Sequence, residues 1–273
     1  MQAQPANDHA QPAAGDDRRL RVLSCNILAG ASVDHYHEYF TRSWTQLLPH
    51  RDKLANLDRL AQLIGGFDVV GLQEADAGSL RSGFLNQTEY LAEAADMPFW
   101  SHQPNRRVAR MAASSNGLIS RLEPSAVFDY PLPGRIPGRG ALLARFGEGR
   151  NALVVVVAHL SLGPQARLRQ LRFIADLLSE HPHAVLMGDL NCEAGSMELR
   201  DLFKHTSLRP PSSALPTFPS WQPRRAIDHI LVSGDIEVVH SWPLPDAFSD
   251  HLPLAAELQL PAGLELRPML RNA

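Results

Sequence analysis

The chain is short of cysteine, of net charge and of long apolar runs, and each shortage excludes something. Two cysteines among 273 residues, Cys25 and Cys192, cannot build a disulfide scaffold or a four-cysteine zinc site, although one disulfide stays open. Lysine plus arginine number 26 against 29 aspartates and glutamates, a formal net charge of −3. That excludes a protein holding nucleic acid by bulk positive charge and leaves room only for a local basic patch. No apolar run approaches the roughly 18–20 residues that span a bilayer; the longest, Ala152 to Ala158, has the length of a strand. Residues 1–17, rich in Ala, Gln, Pro and Asp, lack both a basic n-region and an apolar h-region, so they read as a disordered tail rather than a secretory signal. Neither an internal repeat nor a linker divides the rest. A cytoplasmic monomer is the expectation.

What is present suits one large domain. Hydrophobic residues make up 44%, enough for a sizeable core, and 18 glycines with 21 prolines punctuate it. Strands are expected at Leu20 to Asn26, Asp68 to Glu74, Gly117 to Ser120, Ala126 to Tyr130, Ala141 to Phe146, Asn151 to His159, Ala184 to Met187, Ile227 to Val232, Glu237 to Trp242 and Leu252 to Leu260. Leu54, Leu57, Ala61 and Ile64 recur at helical spacing up to Gly65-Gly66; a second helix is expected around Leu85 to Ala95, and a third opens at Pro164. Leu208 to Arg225 reads as a proline-rich loop, and strands following one another directly in the last third imply antiparallel pairing. The expected class is α/β (α+β).

Several apolar strands end abruptly in polar groups: Asn26, Gln73-Glu74, His159, Asp189 with Asn191, Asp228-His229, and Ser249-Asp250-His251 ahead of the last strand. Taken singly, each has an ordinary explanation as a turn former or a hydrogen-bonded core residue. Together they are an inventory of amides, carboxylates and imidazoles at the tops of core strands, where burial without partners is costly. Their oxygens are hard ligands suited to Mg²⁺ or Mn²⁺, and the imidazoles supply a base.

The ordered set Asn26, Gln73-Glu74, His159, Gly188-Asp-Leu-Asn191, Ile227-Asp-His229 and Ser249-Asp-His251 resembles the endonuclease/exonuclease/phosphatase superfamily over about Leu20 to Leu260. The resemblance implies a four-layer α/β sandwich, two packed mixed β-sheets flanked by helices, with a catalytic domain at 18–262 and a tail at 263–273. It implies a divalent-metal-dependent phosphoesterase, in the finer reading a phosphodiesterase, using Mg²⁺ or Mn²⁺ and breaking a P–O bond by in-line attack of water. Glu74 and Asn26 would hold the metal, with Asp250 at or beside it. His251 would be the base or relay, oriented by Asp228. Asp189 would position the water or protonate the leaving group, and His159 with Asn191 would hold phosphate oxygens. Asn116, in a block (NGLISR) similar to one of the family's, and Phe218 and Trp221, in TFPSW, are candidate substrate contacts. His229, pointing to the opposite face of its strand, is assigned to structure, and both cysteines to buried packing.

The substrate stays open. Some nucleases of the family carry Asp two residues after the metal-site Asn; Leu28 stands there, which with the low charge argues against strong binding to duplex DNA. A nucleic-acid reading would use Arg106, Arg107, Arg110, Arg224 and Arg225. The aromatic-rich segment containing His35, Tyr36, His37, Tyr39, Phe40 and Trp44 would suit a rim that stacks a base, a sugar or a lipid head group. A nuclease acting on DNA or RNA and a non-catalytic binding module of the same fold are the alternatives. A zinc hydrolase lacks its HExxH pair.

Overall fold

Seven consecutive residues, Leu153–His159, are all buried, and a strand hidden on both faces must lie inside a layered structure. In the computed structural model, which describes residues 18–28, 51–79, 82, 84–108, 112–134, 138–264 and 266–269, this is the seventh strand. The order is β1 (Arg19–Asn26), α1 (Arg51–Ile64), β2 (Val69–Asp76), α2 (Gln87–Ala94), β3 (Phe99–Val108), β4 (Ala112–Ser120), β5 (Ala126–Pro131), β6 (Gly140–Phe146), β7 (Leu153–His159), α3 (Pro164–Leu178), β8 (His183–Asp189), α4 (Met197–His205), β9 (Asp228–Val232), β10 (Glu237–Pro243) and β11 (Leu254–Gln259). The expected tail 1–17, the aromatic segment around 34–44 and Arg110 lie outside the described residues.

The strands form two mixed sheets, one ordered β10-β11-β1-β2-β4-β3 and the other β5-β6-β7-β8-β9. The pairs β1/β2 and β7/β8 are parallel. Their neighbours run antiparallel, including β10/β11, as expected for the last third. The strands β9 and β10, consecutive in the chain, belong to different sheets.

Side-chain alternation sorts the core into three layers. Leu153, Val155 and Val157 join Leu20, Val22, Val69, Val185 and Met187 between the sheets. Val154, Val156, Ala158, Ala184 and Leu186 face α3 and α4 through Leu171, Ile174, Leu199 and Leu202. Leu23, Cys25, Val70 and Leu72 face α1 and α2 through Leu57, Leu60, Ile64 and Leu91. Helices, sheet, sheet, helices: this is the expected four-layer α/β sandwich.

Two elements escape the sequence expectations. The strand β3 and the helix α4 were not anticipated. The chain beyond 262, expected as a short tail, is bonded to the domain: Leu264 is buried in the inter-sheet core, Glu123 N donates to Arg267 O at 2.9 Å, and Met269 N donates to Arg121 O at 2.8 Å. Capturing apolar Leu264 and Leu266 on the core edge stabilises that segment against the domain.

Candidate active site

The site is the continuation of the inter-sheet core by other residue types. Period-two alternation carries Val22 to Ser24 and Asn26, Val69 to Gly71 and Gln73, Val157 to His159, Met187 to Asp189, and Ile230 back to Asp228, all onto the inner faces. Because β1/β2 and β7/β8 are parallel pairs, their C-terminal residues reach one end of the sandwich, and the Asp189↔Asp228 pairing brings the start of antiparallel β9 there too.

Glu74 breaks the alternation. Leu72 and Ala75 both face the outer layer, so one residue too many lies between them, and the β2/β4 register shifts there. Glu74 takes φ +57 in this bulge, a left-handed backbone that costs a non-glycine residue of order 1 kcal/mol. The bulge re-aims its carboxylate into the site, with Oε1 3.8 Å from His159 Nε2. Gly188 at φ +143 is obligatory for a second reason: a Cβ there would sit 1.9 Å from the Ala158 carbonyl oxygen.

Asp189 is the hub. Its Oδ2 accepts from Asn26 Nδ2 at 3.3 Å and lies 3.3 Å from His159 Nε2, while Oδ1 accepts from Asn191 N at 3.0 Å. Burial opposes ionisation, yet the hydrogen bond and charge of His159, the charge of His251 and the Asn191 amide hold its carboxyl well below the usual carboxylate range. His251 Nδ1 donates to Asp228 Oδ2 at 2.8 Å, and its other nitrogen, Nε2, lies 3.9 Å from Asp189 Oδ2. Burial alone would depress this imidazole; the charge and hydrogen bond of Asp228, then Asp189 and Asp250, raise it to about 10. The Asp250 carboxyl is pushed up to about 6 by burial and by the charge of Glu74, against the pull of His251.

The predicted residues therefore divide. Asn26, Glu74, His159, Asp189, Asp228, Asp250 and His251 come together. Asn191 lies beside Asp189 at φ +54, but its Nδ2 already donates to Leu160 O at 2.9 Å. Phe218 packs on the His251 ring at 4.8 Å, and Trp221 is half-buried in the same loop. Asn116 is fully buried: its Nδ2 ties the sheets together by donating to Gln103 Oε1 at 3.1 Å and Gly140 O at 2.8 Å, and its Oδ1 has no partner. His229 Nε2 donates to Cys192 O at 2.7 Å on the outer face, the structural role expected of it. Both cysteines are free and buried, and burial pushes the Cys192 thiol up to about 11. Leu28 spends its backbone N–H on Asn26 Oδ1 at 3.2 Å.

Two sets of donors are candidates to hold a cation. Asp189, Asp228 and His251 each place a ligand atom within 4.8 Å of the others, and of these groups the Asp228 carboxylate and His251 Nδ1 are already bonded to each other. Glu74, Asp250 and the second lone pair of Asn26 Oδ1 are the less committed set of hard oxygens. Burial first, and the neighbouring Glu74 after it, raise the Asp250 carboxyl against the pull of His251. Sequence reasoning singled out the TFPSW block for Phe218 and Trp221 but missed within it Thr217, whose Oγ1 donates to Asp228 Oδ2, and Ser220, which bonds the Ser249–Asp250 backbone.

A model of the endonuclease/exonuclease/phosphatase family matches residues 23–251. No curated protein matches the chain in sequence. Among solved structures, an endonuclease/exonuclease/phosphatase from Beutenbergia cavernae superposes with a TM-score of 0.70 at 24% identity, over 89% of this chain and 72% of that one. A mannosyl-6-phosphatase of Bacteroides thetaiotaomicron gives 0.61 at 18% identity, over 88% and 99%. D. rerio TDP2 bound to a single-strand DNA product gives 0.64 at 16%, over 89% and 99%. At these identities the structural likenesses establish the fold.

Proposed function

We infer the function from a premise now in place: the chain belongs to the endonuclease/exonuclease/phosphatase family, whose members hydrolyse phosphoesters. The reading its geometry supports best is a divalent-metal-dependent phosphoesterase, more finely a phosphodiesterase that breaks a P–O bond by in-line attack of water. One observation carries it. An imidazole anchored to Asp228 through Nδ1 turns its Nε2 toward the carboxylate of Asp189 at 3.9 Å, inside a buried polar pocket.

Glu74, Asn26 and Asp250 fit Mg²⁺ or Mn²⁺ by donor chemistry. When bound, such an ion supplies Lewis-acid stabilisation of phosphoryl and leaving oxygens. The chain's own residues do the rest. Asp189, held ionised, and His251, held charged by its carboxylate neighbours, flank the space in which a water is oriented, and the Asp189 carboxylate is the group free to take up its proton, work that contributes roughly 10²–10⁴-fold in such sites. His159 Nε2, set between Asp189 and Glu74, and the Asn191 side chain border the position of the non-bridging oxygens, where charge builds up. Phe218 and Trp221 border the substrate on the loop side.

Hydrolysis of bis-p-nitrophenyl phosphate tests this. Turnover is expected with Mg²⁺ or Mn²⁺, lost in EDTA and restored by added ion; full activity in EDTA overturns the metal assignment. The substrate follows from a panel of single-stranded and duplex DNA, RNA, phospholipids and sugar or nucleotide phosphoesters. The panel is wide because the relatives include a mannosyl-6-phosphatase and a protein caught with single-strand DNA product. Weak duplex binding at physiological salt is expected from the −3 charge. A folded protein that cleaves nothing in the panel would support the binding-module alternative.

A further inference from the structure

His251 stands on a stretch without regular secondary structure, between β10 and β11, so something other than a strand must hold its ring. Asp228 does so in part. A carboxylate turns about a soft terminal torsion, however, and one hydrogen bond does not fix which oxygen it presents. In this site Asp228 Oδ2 accepts twice, from His251 Nδ1 at 2.8 Å and from the Thr217 hydroxyl.

Thr217 is built for that task. It is fully buried, and its backbone is fixed on both sides: its N–H donates to Arg225 O at 3.0 Å, and its carbonyl accepts from Leu252 N at 2.9 Å. A β-branched side chain on a fixed backbone has little χ1 freedom, so the hydroxyl is aimed rather than searching. The residues that follow complete a frame. The Phe218 ring packs on the imidazole at 4.8 Å. Ser220 N donates to Asp250 O at 2.8 Å, and Ser220 Oγ donates to Ser249 O at 2.7 Å. The chain on both sides of His251 is thus bonded to residues 217–220.

We propose that Thr217 is a positioning residue of the candidate active site, pinning Asp228 so that His251 keeps its hydrogen on Nδ1 and turns Nε2 toward Asp189. The catalytic consequence rests on the phosphoesterase reading above; the geometric one does not.

The test uses the full chain and Thr217→Val, which keeps the shape and the backbone bonds and deletes only the hydroxyl, with Thr217→Ser restoring it. Supporting residues of this kind typically cost 10–100-fold when lost, so kcat on bis-p-nitrophenyl phosphate should fall by roughly that factor in the Val variant, with KM near wild type and the Ser variant recovered to within about threefold. In ¹⁵N-histidine NMR spectra, the His251 Nδ1–H signal, assigned by its loss in His251→Gln, should shift in the Val variant and return in the Ser variant. A folded Thr217→Val protein with wild-type kcat and an unmoved Nδ1 signal overturns the proposal, as does a Ser variant that fails to rescue either readout. If wild-type protein hydrolyses nothing, the phosphoesterase reading fails alone, and the NMR comparison still decides the positioning role.

Discussion

The two halves of the inter-sheet space are built by the same strands and have opposite chemistry. At one end, Val22, Val69, Val155, Val185 and Ile230 close an apolar core. Two to four residues along the same inner rows stand Asn26, Gln73, His159, Asp189 and Asp228, also buried. Each buried methylene in the first half contributes roughly 0.8 kcal/mol, and shape complementarity is all it needs. The second half gains little from burial and must satisfy each polar group with a specific partner. That is why Asp189 collects bonds from three residues, and why the backbone there takes left-handed conformations at Glu74 and Asn191. Stability resides in one half of a strand and chemistry in the other.

The contrast is sharpest if a substitution in the polar half is compared with one in the apolar packing of the same strand, β8. Asp189→Asn keeps the volume and an acceptor for the Asn191 amide but removes the charge that faces both imidazoles. Turnover should fall by roughly 10²–10⁴-fold, equivalent to about 3–5 kcal/mol of barrier. Its melting temperature should move less than that of the next variant. Leu186→Ala, in the apolar stretch of β8 and fully buried against the α3/α4 layer, should cost about 2–5 kcal/mol of stability through the lost contacts and the cavity. Its kcat, measured well below the melting transition, should stay at the wild-type value. Denaturant titration and steady-state kinetics on both proteins check the pair. A destabilised Asp189→Asn with normal turnover, or a stable Leu186→Ala with none, would break the division.

The apolar half was the more legible half in sequence. The runs Leu20 to Asn26, Ala152 to His159 and Ala184 to Met187 announce strands and, by ending in Asn, His and Gly-Asp, also announce the site. Period two then tells which face each residue takes: His229 was placed outward from its spacing to Asp228, and its ring bonds Cys192 on that side. Three kinds of feature stayed hidden. The edge strand β3, with His102, Gln103, Pro104 and two arginines, lacks apolar alternation because only part of an edge strand faces a core. The helix α4 is a nine-residue element whose Ser196 cap and Leu199-Leu202-Phe203 spacing were readable but short. The bulge that turns Glu74 inward has no local signature, because it is set by pairing with β4, and straightforward alternation would have pointed that carboxylate the wrong way. Thr217 was hidden for the same reason: its importance lies in a contact with a residue 11 positions away in another element.

A third expected effect concerns pH, and it arises only in the polar half, since the apolar rows hold nothing to titrate. His251, ringed by Asp228, Asp189 and Asp250 and packed on Phe218, is raised from its ordinary 6.5 to about 10. The folded protein thus holds a proton that the unfolded chain releases, so this contribution is fully present below pH 6.5 and is lost as pH rises through 10. The Asp250 carboxyl, raised from 3.8 to about 6, acts with the same sign over a lower window: folding is favoured while it is protonated, and the contribution declines as pH rises from about 4 to about 6. Metal-free protein in chelator should therefore show a melting temperature that drifts down between pH 6.5 and 10. In His251→Gln that slope should flatten, whereas Leu186→Ala should lower the whole curve and leave its shape unchanged. An unchanged slope in the glutamine variant would show that the His251 proton is not linked to folding, and that the carboxylates around it are balanced by something other than its charge.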